Sequence, residues 1–137
     1  MILLVYRSYS SFVRNDYDIL SKHFDVERFQ WRGKRDVPRL AESVRKCDVT
    51  FSWFANDHAA VAVFLSRRFR KKNIVVVGGG DVAYAPEIDY GRFTQSKLKR
   101  CLSLYALGNA DLILPVSNFT KTEVLRWVKP KRMEVVY

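Results

Sequence analysis

Ala110-Asp111-Leu112-Ile113-Leu114-Pro115-Val116-Ser117-Asn118-Phe119-Thr120-Lys121-Thr122-Glu123-Val124-Leu125-Arg126-Trp127-Val128 is the stretch whose reading decides the fold. Residues 111–116 read as a buried strand, because apolar side chains run on without the alternation of a half-solvated one. Ser117 and Asn118 supply the small hydroxyl and amide groups that open helices. Apolar positions then recur at helical spacing through 119–128. The last residues, Met133-Glu134-Val135-Val136-Tyr137, form a further apolar strand. A chain that closes inside a strand reads as the first half of something larger, which places its function at a boundary with another domain.

The same unit repeats upstream. Ile2–Tyr6 is a continuous apolar run, and Ser10 and Ser11 can cap a helix carrying Val13, Tyr17, Leu20 and Phe24. Residues 25–30 make a less buried strand, and Pro38 suits the first turn of a helix with Leu40, Ala41 and Val44. Residues 48–54, 73–77, 111–116 and 133–137 complete six strands. Helices are expected at 57–69, around 95–107 with Gly108-Asn109 as the stop, and at 119–128. Alternating β and α elements argue one domain over 1–137, a Rossmann-like doubly wound parallel sheet with helices on both faces. Right-handed crossovers favour the order 3-2-1-4-5-6.

Composition narrows the function classes. The chain has 137 residues, 48% hydrophobic and 28% charged, which is globular composition. The run Ala59-Ala60-Val61-Ala62-Val63-Phe64-Leu65 falls far short of the ~20 residues a spanning helix needs, and the amino terminus lacks signal-peptide grammar. A cytoplasmic protein is expected. Cys47 and Cys101 fit no metal-ligand spacing and read as two buried thiols. Two histidines, His23 and His58, make a histidine metal site equally poor, so no metal is implied. A net charge of +10 points toward nucleic acid, an anionic membrane surface or phosphate-bearing small molecules. Nucleic acid is disfavoured, because no recognisable motif accompanies the basic runs at 67–72 and 97–100.

In such a sheet, ligands gather beyond the carboxyl ends of the strands, where strand order reverses. With the order above, strands one and four flank that point. After strand one come Arg7, Ser8, Tyr9 and Ser10, small donors ahead of a helix plus a charge matched to phosphate. Helix capping alone explains the serines equally well. After strand four come Gly78-Gly79-Gly80-Asp81, which let the backbone approach a ligand closely. Neither a P-loop nor G-x-G-x-x-G is present. Asp81 could receive sugar hydroxyls or hold nearby amides. Tyr84 and Glu87 sit in a long loop of the kind that carries recognition. Trp53-Phe54-Ala55-Asn56-Asp57-His58 has similar character, with His58 read as an ordinary first-turn residue. Ser117 could cap its helix or face a phosphate.

Asp111 to Ser117, a helix with Thr120, Lys121, Val124 and Leu125, and the closing Met133-Glu134-Val135-Val136-Tyr137 together resemble the family 4 (group 1) glycosyltransferases. The match is to the end of their N-terminal, acceptor-side domain, half of a GT-B fold. Residues 74–82 and 2–11 are similar to that domain's glycine-bearing and first strand–loop segments. The resemblance implies a transferase moving a sugar from a nucleotide-sugar donor to a glycan or lipid-linked acceptor, usually without a metal. It implies no cofactor beyond the nucleotide sugar as co-substrate. Asp81 would be the catalytic residue. Arg7, Ser8, Tyr9, Ser10, Trp53, Gly79, Gly80, Tyr84, Glu87 and Ser117 would bind acceptor or phosphate. Gly80 stands where many relatives carry a histidine, so that side chain's role has no counterpart here. A C-terminal donor-binding domain and its paired acidic motif are missing from the sequence, so the chain alone is expected to be inactive. The basic excess suits peripheral attachment to an anionic membrane through residues 97–100. The alternative is a standalone nucleotide- or phosphate-binding Rossmann-like module.

Overall fold

The computed structural model describes residues 1–136. It is an α/β layer built on one all-parallel sheet of β1 (Ile2–Tyr6), β2 (Val26–Gln30), β3 (Val49–Trp53), β4 (Lys72–Val77) and β5 (Leu112–Pro115). The helices are α1 (Ser11–Ser21), α2 (Val37–Lys46), α3 (Asp57–Arg68), α4 (Lys97–Asn109) and α5 (Asn118–Leu125). The expected sixth strand is rudimentary. Ile113 N donates to Arg132 O at 2.9 Å, Glu134 N to Ile113 O at 3.0 Å and Val136 N to Pro115 O at 2.8 Å. Residues 132–136 therefore run parallel beside β5, and the expected end of that strand, Tyr137, lies outside the described residues.

The strand order is β2-β1-β3-β4-β5. It differs from the expected one, which put the third strand at an edge. The connection through α2 carries the chain back over β1, so β3 lands on β1's other side. Deleting the outermost strand of the 3-2-1-4-5-6 order and renumbering gives this arrangement. The reversal point consequently lies between β1 and β3, not between the first and fourth strands.

Crossover handedness then decides which face is covered. Right-handed connections running one way along a sheet put their helices on one face. Among the described residues only the β1-to-β2 step runs leftward, so α1 alone covers one face. The other face carries α2 to α5 and is sealed by two apolar clusters. One joins Leu3 and Val5 to Leu40, Val44, Ala62 and Leu65. The other joins Val75, Val77 and Ile113 to Ala59, Val63, Phe93, Leu107 and Val124. Each fully buried aliphatic side chain there contributes about 1.5–3 kcal/mol.

Some local expectations shift. Gly108 sits inside the last turn of α4, which ends at an extended Ala110. Cys47 is buried as expected, but Cys101 is exposed, because the buried stripe of α4 runs through Ser103, Ala106 and Leu107. The α3-to-β4 turn is a Schellman closure. Arg70 N donates to Arg67 O at 3.3 Å and Lys71 N to Ser66 O at 2.7 Å. Its left-handed position is held by Arg70, at φ 57°, where glycine is usual and an L-residue costs about 1–2 kcal/mol. No helix among the described residues is long and apolar enough to cross a membrane.

Candidate functional site

The amino ends of α1, α3 and α5 and the glycine loop after β4 all meet the carboxyl rim of the sheet. Asp81 ties this rim together. Its Oδ2 accepts from Ala55 N at 2.7 Å, and its Oδ1 accepts from Gly79 N at 2.9 Å and Gly78 N at 3.1 Å. The loop after β4 is thereby pinned to the loop after β3. Burial pushes the Asp81 carboxyl above its usual range, while the amides pull against that shift. At 5% exposure, with three donors occupying its oxygens, Asp81 has the geometry of a loop anchor. Gly79, at φ 122°, uses glycine's freedom and lies against α5, where an added Cβ would sit 3.7 Å from Thr120 Oγ1.

Other polar groups near the rim are spent in the same way. Ser117 caps α5, its Oγ accepting from Thr120 N at 3.1 Å and pairing with Thr120 Oγ1 at 3.0 Å. Arg92, 8% exposed, bonds Ser103 through Nε and Asp57 through Nη2. It straps the long loop to the start of α3. Arg92 N also donates to Gly80 O at 2.9 Å.

Between β1 and β3 the pattern reverses. Ser10 and Asn56 stand at the N-cap positions of α1 and α3, and neither side chain caps its helix. Among the described residues, Ser10 Oγ, Asn56 Oδ1 and His58 Nδ1 are buried atoms with no hydrogen-bond partner. The His58 tautomer follows from its other nitrogen. Nε2 lies 2.6 Å from Trp53 O, and a carbonyl only accepts, so Nε2 carries the proton and Nδ1 a lone pair. Burial lowers the His58 pKa from 6.5 to about 4, with the Arg7 and Arg92 charges adding to that effect. The imidazole is therefore neutral at physiological pH. Arg7 and Ser8 are exposed beside it, and Tyr9 is half-buried with the Arg28 guanidinium 5.0 Å over its ring. Phe54 holds φ 73°, a left-handed conformation unusual for a bulky residue, and its ring lies directly over Gly78.

The remaining expected site residues are dispersed. Trp53 points to the sparsely covered face, donating through Nε1 to Asp16 Oδ2 at 2.6 Å and stacking on Phe12 at 5.9 Å. It lines an open apolar groove of about 570 Å3 between α1 and the β4–β5 strands, with Ile19, Phe51, Val76, Leu114 and Val116. Tyr84 turns toward α4 and α5, edge-on to Trp127 at 5.6 Å and beneath Arg100 at 5.7 Å. Glu87 is exposed on the outer 3-10 turn Pro86–Ile88.

The rim therefore carries Arg7, Ser8, Tyr9, Ser10, Gly79, Gly80, Asp81 and Ser117 on its loops, and leaves Trp53, Tyr84 and Glu87 outside. Sequence reasoning gave little weight to Asn56 and His58, whose value lies in being unpartnered, a property no spacing encodes. Arg92 was missed entirely, because a single arginine inside a loop carries no signal of burial. The chain matches no protein-family model and no curated protein.

Proposed function

We propose that this chain is the acceptor-side domain of a GT-B glycosyltransferase, moving a sugar from a nucleotide-sugar donor to a glycan or lipid-linked acceptor. One observation carries the reading. The helices that follow the two strands flanking the reversal of strand order, α1 and α3, both begin at the carboxyl rim with idle caps, Ser10 and Asn56, so their first N–H groups have no side-chain partner. Crevices at such reversals are where open parallel sheets bind ligands. Uncapped N–H groups beside Arg7 favour phosphate or a developing oxyanion. Ser10 Oγ and Asn56 Oδ1 are buried, unpartnered polar atoms at the two helix starts, which a small rotation of either side chain would turn toward a ligand hydroxyl. Neutral His58 supports them from beneath without adding charge.

Asp81 then acts as a positioning residue, holding the glycine loop at the height where a transferred sugar would pass. The donor nucleotide is held mainly by a second, C-terminal domain across this rim, so the chain alone does not catalyse transfer. The setting is cytoplasmic, with peripheral attachment to an anionic inner membrane face. Lys97, Lys99 and the 69% exposed Leu98 at the start of α4 make that contact.

The test is a transfer assay with a panel of nucleotide sugars and acceptors, run on the chain alone and on the product of its uninterrupted genomic reading frame. Transfer by the longer product only is the expected result. Transfer by the chain alone overturns the acceptor-side assignment. The idle caps also favour a second reading, the standalone phosphate-binding module. Tight nucleotide binding by the chain, with no transfer by any longer product, would select it.

A further inference from the structure

We propose a second, independent ligand site at the opposite, amino end of the sheet: a recess that binds a multivalent phosphate anion. The recess, about 330 Å3, is lined by Arg67, Arg70, Lys71, Lys72 and Asp111. Among the described residues, none of these four cations has a carboxylate partner within salt-bridge distance. The one acid in the wall is already engaged. Asp111 Oδ2 accepts from Asn73 N at 3.0 Å and Asn73 Nδ2 at 3.2 Å, and Oδ1 lies 3.7 Å from Lys131 Nζ. Lys71 also faces Asp48, whose carboxylate is bonded by the amino terminus.

Ordinary helix chemistry explains only part of this cluster. Arg67 is favoured by the negative end of the α3 dipole, but Lys71 and Lys72 belong to the turn and to β4. Arg70 has no such excuse. It occupies the left-handed position of a Schellman closure, where glycine fits without strain. A strained residue kept in an exposed turn marks a role for its side chain. Arg70 lines the recess together with Arg67 and Lys72. Two planar forks and two ammonium groups around one acid leave three net positive charges in the wall. A single carboxylate ligand would neutralise one of them. A phosphate dianion or a pyrophosphate matches both the charge and the fork geometry.

Pyrophosphate is the probe, followed by thermal unfolding and titration calorimetry on the chain. Saturating pyrophosphate is expected to raise the melting temperature by roughly 2–4 °C. Lys72→Gln should weaken binding about tenfold. Arg70→Gly gives the decisive readout, because its two effects have opposite sign: the melting temperature without ligand rises, while affinity falls about tenfold. A merely structural Arg70 would move the first and not the second. Vesicles with and without phosphatidylglycerol locate the source. Binding to the anionic vesicles that both variants weaken assigns the phosphate to a lipid headgroup, and a response to pyrophosphate alone assigns it to a soluble ligand. No response of the wild-type chain to either, or responses unchanged in both variants, overturns the proposal.

Discussion

Two neighbouring stretches of the carboxyl rim treat their polar groups in opposite ways. Around β4 and β5 the polar side chains Asp81, Ser117 and Arg92 are committed to the fold: Asp81 to three amides, Ser117 to Thr120, Arg92 to Asp57 and Ser103. Around β1 and β3, Ser10, Asn56 and His58 keep atoms without partners. An unsatisfied buried polar atom costs free energy that folding alone does not repay. The contrast teaches that side-chain type does not mark a site. What marks it is chemistry left over once the fold has taken its share.

The largest effect expected on the committed side is at Arg92. Arg92→Ala leaves Asp57 and Ser103 without their partner and should destabilise by about 3 kcal/mol, discounted because Asp57 is 37% exposed. Urea unfolding reads this directly, and a loss under about 1 kcal/mol would remove Arg92 from the committed set.

On the leftover side, acid should act through His58. Its folded pKa, about 4, lies below the ordinary 6.5, so the unfolded chain takes up the proton first. The stability that His58 contributes is present above pH 6.5 and is lost as pH falls toward 4, up to about 3 kcal/mol. Asp81 works in the other direction, because burial raises its carboxyl and its contribution grows as pH falls. His58→Gln, unfolded at a series of pH values, should flatten the acid loss. An unchanged slope would refute the buried neutral imidazole.

Asp81→Asn should cost about 2 kcal/mol, since the amide keeps one acceptor while its NH2 meets backbone donors. Loss of hydrogen-exchange protection at Gly78 and Gly79 is the accompanying sign. The smallest effect sharpens the comparison most. Ser117→Ala removes a working cap and should cost about 1 kcal/mol, whereas Ser10→Ala removes an idle one and should cost under about 0.5 kcal/mol. Equal costs would mean that Ser10 caps α1 after all.

Much of the scaffold was legible in the residues. The uninterrupted apolar runs at Ile2–Tyr6 and residues 74–77 state a sheet buried on both faces. The five helices fall near where cap and period put them, although α4 runs through its expected stop at Gly108 and α5 ends at Leu125, short of the expected 128. The strand order was not, because handedness constrains each crossover but does not say which edge the chain returns to. With β3 beside β1, the reversal point lies one strand away from the expected place, next to the loop that carries Asn56. The bare groove beside Trp53 was equally hidden, since it results from a helix that the connectivity never places there. Arg70's left-handed turn had no sequence sign, because glycine is the residue that normally announces one.

Amide chemical-shift mapping of the chain with a short-chain prenyl-diphosphate sugar tests the central claim most directly. The account predicts shifts at residues 7–13 and 55–59, with smaller ones at 78–81, separate from those that the diphosphate produces at the recess of residues 67–72. Shifts confined to residues 67–72, or none anywhere on the carboxyl rim, would contradict it.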